Sequence, residues 1–295
     1  MKHIKTFLTG TLLLFITFSC DKPESEVTTE NQIKEYTFGI NRDTIKVDNQ
    51  DRNFKFYVPQ NLSEDASLVF RFHGSVGISA DPDKALPDPV FGVREDYVLN
   101  QIADTENIVV VFPVGSKGGT SIGWTNKDEE LKFFDEMLEY FKLQVPKINF
   151  DKVYVCGHSS GAIFSFVLAG SRADKIAAAV PVSGQYRLVQ GKNDSFVSDN
   201  FSVPLRAYNG TIDGSVNYQS AYRNMNIWEE LENKGDSTNR VISNFSIADY
   251  NIEKTEWKSG LSDLELYSLQ GVGHGISWKI IGESMWEFMK SHTKK

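Results

Sequence analysis

Gly157-His158-Ser159-Ser160-Gly161 centres the Ser159 hydroxyl between two residues without side chains. At such a pentapeptide a chain turns from a strand straight into a helix, because the flanking glycines let the two elements pass close together. The chemistry this invites is nucleophilic attack by the Ser159 oxygen. A serine hydroxyl attacks poorly until a neighbouring base takes its proton, so an imidazole must stand beside it. The chain has five histidines. His3 lies in an N-terminal leader, His292 in a charged tail, His158 is constrained by the serine next to it, and His73 ends a predicted strand. His274, in Gly271-Val-Gly-His-Gly275, follows the last predicted strand in a glycine-flanked loop and is the base by elimination. The carboxylate that orients it is Asp213, in Thr211-Ile-Asp-Gly214 after another strand, with Asp249 as the runner-up.

An ester or amide carbonyl under attack also needs donors for its developing oxyanion. One is the backbone N–H of Ser160, the residue after the nucleophile, at a helix N-terminus where the dipole favours negative charge. The other is the N–H of Ser75, in the turn His73-Gly74-Ser75, with His73 bracing that turn by hydrogen bonds. Trp124 and Trp278 flank these loops and either line the site or pack beneath it. Asp81, Asp83 and Asp88 lack the spacing and central glycine of a calcium loop. Nothing in this set of residues calls for a metal or a cofactor.

The elements that must position these groups alternate along the chain. Strands are predicted over residues 33–38, 54–58, 68–72, 108–112, 152–156, 176–182, 203–208 and 264–269. The first two are half-buried and joined by a turn near 49–51, whereas 108–112 (IVVVF) is apolar throughout and belongs inside a parallel sheet. Helices are predicted over 94–103, 129–143, the apolar segment after Gly161, 218–231 and 278–288. Residues 79–92, 113–126 and 185–202 read as loops, and 235–262 carries no clear period. The pattern is an α/β chain with a mostly parallel central sheet of about eight strands and helices on both faces, and ligands on such sheets bind beyond the carboxyl ends of the strands.

At 295 residues and 40% hydrophobic, the chain has enough apolar content for one substantial core. Lys2 and Lys5 precede an apolar run from Phe7 to Phe18 that is short for a membrane span and reads as a signal peptide over 1–19. Cys20 directly after it resembles a bacterial lipobox cysteine, which would make the chain exported and lipid-anchored to the cell envelope, with ordinary secretion as the alternative. Residues 20–32 read as a flexible polar tether and 33–295 as the catalytic domain. Removing 1–19 takes away two lysines and no acid, moving the formal charge from −8 to −10. A chain this acidic, without a basic stripe, is a poor partner for nucleic acid. Cys156, in the strand before Ser159, reads as a small core residue, so no intramolecular disulfide is expected.

Taken together, LVFRFHG at 68–74, NQIADTENIVVVFPVG at 100–115, KVYVCGHSSGA at 152–162, KIAAAVPVSG at 175–184, YNGTIDGSVNY at 208–218 and LQGVGHGISW at 269–278 resemble the secreted esterase group of the α/β-hydrolase superfamily. That group includes polyhydroxybutyrate depolymerases and feruloyl or acetylxylan esterases. The resemblance implies ester hydrolysis through an acyl-enzyme, with Ser159, Asp213 and His274 as the triad and a small-molecule or oligosaccharide ester as substrate. The chain departs from the group in carrying Ala162-Ile163 after the elbow and in lacking a cysteine pair. Hydroxyalkanoate esters are the alternative substrate, a serine peptidase the rival enzyme, and a non-catalytic glycan-binding lipoprotein the rival from another class.

Overall fold

An apolar run without polar alternation has to be covered on both faces, and Ala66–Phe72 (ASLVFRF) is buried at every position. The computed structural model describes residues 34–77, 97–124, 127–186, 202–230, 238–258 and 260–294. Within them the strands are β1 (Gly39–Val47), β2 (Gln50–Val58), β3 (Ala66–Phe72), β4 (Val76–Gly77), β5 (Ile108–Pro113), β6 (Ser116–Gly118) and β7 (Ser121–Gly123). They continue with β8 (Ile148–His158), β9 (Ala178–Val182), β10 (Leu205–Gly210), β11 (Arg240–Ile247), β12 (Tyr250–Trp257) and β13 (Leu264–Leu269). The helices are α1 (Tyr97–Glu106), α2 (Lys127–Gln144), α3 (Ser160–Ser171), α4 (Tyr218–Trp228) and α5 (Trp278–Lys290).

One sheet takes ten strands in the order β1-β2-β5-β3-β8-β9-β10-β13-β12-β11. From β5 to β13 in that order the neighbours run parallel. Antiparallel pairs extend the sheet at both ends. It is the expected mostly parallel sheet, two strands wider. Because side chains alternate along a strand, each central strand feeds both faces. Leu68, Phe70 and Val155 meet Phe133, Phe141, Phe164 and Trp228 of α2, α3 and α4 on one side. Val69, Tyr154 and Cys156 meet Leu99, Ile102, Ile281 and Met285 of α1 and α5 on the other. The α2 face is legible in its spacing, since Leu131, Phe134, Leu138 and Phe141 recur at helical intervals and are buried.

Four regions differ from the sequence expectation. Residues 34–37 carry no strand, and β1 begins at Gly39 instead. The alternation of β1 is hidden because polar residues take half-buried positions there: Asp43 accepts from Lys34 Nζ at 2.8 Å and from the Tyr140 hydroxyl at 2.6 Å. The turn that follows sits at Asp48-Asn49, both at positive φ (46° and 66°), the geometry of a tight two-residue hairpin. The segment 113–126 is not all loop: β6 and β7 join β4 in a second, three-stranded sheet. The uninterpreted stretch 235–262 contains the β11–β12 hairpin, turned at Ala248 (φ 49°). Its strand β11 is exposed along almost its whole length, so burial imposes no alternation on its sequence. The leader 1–19, Cys20 and the tether, the loop 79–92 with its three aspartates, most of 185–202, and Leu231 lie outside the described residues.

Candidate active site

The turn between β8 and α3 is as sharp as the glycine spacing predicts. Ser159 has φ 54° and ψ −114°, a left-handed conformation that costs a residue with a side chain about 1–3 kcal/mol. Main-chain bonds hold it there: its N–H donates to the Val182 carbonyl at 3.0 Å, and its carbonyl accepts from Ile163 N–H at 3.1 Å. It occupies the N-cap of α3 but its hydroxyl makes no capping bond. A Cβ on Gly157 would stand 2.4 Å from the Gly161 carbonyl oxygen, and one on Gly161 would stand 2.3 Å from that of Phe72. Both glycines are therefore required by backbone meeting backbone.

His274 and Asp213 reach the same end of the sheet through its topology. Strands β8, β9, β10 and β13 are successive neighbours, so the residues just past their carboxyl ends form a row. The turn after β10 lies against the loop after β13: Thr211 N–H donates to the Leu269 carbonyl at 3.0 Å, and Ile212 N–H to that of Val272 at 3.1 Å. Asp213 has a fully buried side chain. Its Oδ1 accepts from Ser215 N–H at 2.7 Å and Val216 N–H at 2.8 Å, while Oδ2 lies 2.8 Å from His274 Nδ1. Because a carboxylate only accepts, Nδ1 carries the proton and Nε2 is left as the acceptor of the neutral ring. Asp249, the runner-up, sits instead in the β11–β12 turn at the sheet edge, out of this row.

The hydroxyls of Ser75 and Ser160 both approach Gly123, where a Cβ would stand 3.2 Å from Ser75 Oγ and 3.4 Å from Ser160 Oγ. Gly74, just before, packs on the elbow, with its missing Cβ 3.4 Å from that of Ser159. His73 braces this turn as expected. Its Nε2 accepts from Gly115 N–H at 3.0 Å, so Nδ1 bears the proton and donates to the Gly74 carbonyl at 2.6 Å. Burial pushes the His73 imidazole down to about 4, against the bond to Gly74, with the charge of Arg71 adding to the depression.

Trp124 and Trp278 are not exposed walls. Trp124 is buried, stacks on Phe164 at 5.1 Å, and donates its indole N–H to the His73 carbonyl at 2.8 Å. Trp278 is buried in the other core layer beneath the Arg71 guanidinium, 4.6 Å from its ring centre. Both pack beneath the site because a loop that aims a donor must rest on something rigid.

Two residues that sequence reasoning passed over meet at His274. Its backbone carbonyl accepts from His158 Nε2 at 3.0 Å and from Ser183 Oγ at 2.8 Å. His158 was visible as the neighbour of Ser159 but had been set aside as constrained. Ser183, at φ 52° just past β9, stands out only once strand order is known. Burial, opposed by the bond to His274, keeps the His158 imidazole below its ordinary range, with the nearby charge of Arg71 acting in the same direction as burial. A cavity of about 620 Å³ lies elsewhere, at the opposite ends of β10 and β13, lined by Pro204, Trp257, Lys258, Asp263 and His292. It holds none of the candidate site residues, and polar groups that converge beyond the strand ends are a better guide to chemistry than cavity size.

No protein-family model matches the chain. It is 25% identical over 254 residues to the bifunctional acetylxylan esterase/xylanase XynS20E of Neocallimastix patriciarum, a match covering 82% of this chain and 33% of that protein. It is 30% identical over 179 residues to feruloyl esterase D of Neurospora crassa, covering 59% of this chain and 57% of the relative. The matches thus span well under two thirds of either relative's length. Among solved structures, an acetyl xylan esterase from Aspergillus awamori superposes with a TM-score of 0.61 at 17% identity, over 85% of this chain and 99% of that one.

Proposed function

We propose that this chain belongs with the α/β-hydrolase esterases it resembles and hydrolyses carboxylic esters through a seryl acyl-enzyme. The observation that carries the proposal is the Asp213–His274 bond, which turns a neutral imidazole's acceptor nitrogen loose at the strand ends where Ser159 is held in a strained turn. In the reaction, Ser159 Oγ attacks the ester carbonyl carbon as His274 Nε2 takes its proton. The oxygen of the tetrahedral intermediate is held by the Ser160 and Ser75 N–H groups, a contribution of about 3 kcal/mol for each donor. Collapse expels the alcohol, which takes the proton from Nε2. Water, deprotonated by the same nitrogen, then attacks the acyl-enzyme, and the acid is freed as Ser159 Oγ leaves and takes the proton back from Nε2. Asp213 stabilises the imidazolium in both halves.

Feruloyl or acetyl esters of carbohydrates are the proposed substrates, supported by the acetylxylan and feruloyl esters named in the relatives. The proposed setting is outside the cytoplasm, with the chain lipid-anchored at Cys20 after removal of residues 1–19. The test is release of p-nitrophenol from short acyl esters, followed by a panel of acetylated and feruloylated oligosaccharides against hydroxybutyrate oligomers. Ser159→Ala is expected to lower kcat by at least about 10³-fold with the fold intact by circular dichroism; unchanged release would sink the proposal. Activity that stays in the membrane fraction of cells carrying Cys20→Ala would remove the anchor.

A further inference from the structure

The loop that carries His274 is anchored as far as Gly273: Ile212 N–H bonds the Val272 carbonyl, Gly271 N–H bonds the Thr211 hydroxyl, and a Cβ on Gly210 would stand 2.2 Å from the Val272 carbonyl oxygen. At Gly273 and Gly275, on either side of His274, a Cβ would meet nothing within 4 Å. Two glycines without packed side chains leave the peptide between them to be fixed by its own polar groups. The bond to Asp213 fixes one nitrogen of the imidazole, yet a ring tied at one atom still swings if its own peptide moves. The peptide of His274 is tied at its carbonyl, by His158 from the end of β8 and by Ser183 from the end of β9. The donors come from the two strands nearest the nucleophile, and one of them is the residue next to Ser159 in sequence.

We infer that His158 is a positioning residue: with Ser183 it clamps the His274 carbonyl and so couples the register of the histidine loop to the strand that carries Ser159. The inference rests on the esterase proposal above for its kinetic consequence. His158 is unsuited to be the base itself. Its Nε2–H is spent on the carbonyl, and its Nδ1 lies 3.2 Å from the Cβ position of Gly74, against the turn that holds Ser75. The two rings lie 4.9 Å apart between centroids, tilted by 53°, so the clamp also sets His158 beside the imidazole it steadies. The charged and titratable groups around His158 are Arg71 from β3, Asp213 from the turn after β10, and His274 itself. A positive charge gained on His158 would sit beside the imidazolium that must form in each half-reaction, so the clamp works with His158 neutral.

The experiment compares full-length wild type, His158→Gln, His158→Leu and Ser183→Ala. Glutamine places an amide N–H where the imidazole Nε2–H was, and leucine fills the space without a donor. His158→Leu is expected to lower kcat by about 10- to 100-fold with KM within about twofold, since a base displaced by a fraction of an ångström loses the chemical step before it loses binding. His158→Gln is expected to restore most of that loss, and Ser183→Ala to show a smaller loss of the same kind. In His158→Gln the acid limb of the kcat/KM profile should report the imidazole of His274 alone. A downfield proton resonance from the His274 Nδ1–H bound to Asp213 should persist in the glutamine variant and broaden in the leucine variant. Undiminished kcat in His158→Leu overturns the clamp. So does a glutamine variant as slow as leucine with an equally lowered melting temperature, which would mark a merely structural residue. A wild type inactive on every ester would overturn the functional proposal instead, and the resonance would still decide the clamp.

Discussion

The elbow at Ser159 and the loop at His274 stand side by side at one end of the sheet, and Ser159 and His274 are held by different means. Around the elbow, backbone meets backbone so closely that any Cβ on Gly157 or Gly161 would overlap a carbonyl. Around the histidine, the backbone of 272–273 packs on Gly210, but Gly273 and Gly275 face open space and His274 itself is held by hydrogen bonds, to Asp213 through the ring and to His158 and Ser183 through the carbonyl. Steric exclusion fixes the backbone of Ser159, the proposed nucleophile. Polar tethers fix His274, the proposed base.

Alanine substitution separates the two regimes most sharply. Gly161→Ala puts a methyl group 2.3 Å from the Phe72 carbonyl, in a place where strand and helix cannot both yield. It is expected to lower stability by more than about 3 kcal/mol and to abolish activity, read as a collapse of the urea midpoint. Retained stability would mean that the elbow is softer than its contacts imply.

The brace under the elbow predicts a smaller effect that depends on pH. The folded-state His73 imidazole lies at about 4, below its ordinary value of 6.5, so the unfolded chain binds the proton more readily. Its neutral, bonded form therefore contributes fully above pH 6.5, and that contribution fades as the pH falls toward 4, by about 3 kcal/mol in all. His73→Gln should flatten this part of the stability curve, measured as the difference in urea midpoint between pH 7 and pH 4.5. An equal acid slope in the variant would show that other groups set it.

The smallest effect is expected in the histidine loop. Gly273 is not at positive φ and has room for a methyl group, so Gly273→Ala should change stability by no more than about 0.5 kcal/mol and leave kcat within about twofold. A large fall in kcat without loss of stability would show that the loop needs glycine for motion and would break the contrast between the two regions.

Much of the architecture was legible because its signals are local. The central strands announce themselves by unbroken apolar runs, and α2 by the interval of Leu131, Phe134, Leu138 and Phe141. Where burial was partial, the signal failed: β1 carries Asn41 and Asp43 at half-buried positions, and β11 faces solvent at nearly every residue. The tryptophans were ambiguous for a related reason, since a large ring beside a functional loop has the same sequence signature whether it faces the substrate or supports the loop from below.

The sequence by itself determined the strained turn at Ser159, because the absence of side chains two residues to either side of it is a property of five consecutive residues. It also narrowed the candidate base to one histidine by elimination and put Asp213 ahead of Asp249. Only the tertiary structure decided that Asp213 and His274 bond, that Trp124 and Trp278 are buried, and that His158 and Ser183 share the His274 carbonyl. Those facts depend on which strands are neighbours. Strand order is set by the burial of whole faces against helices far apart in the chain, so no local stretch of sequence contains it.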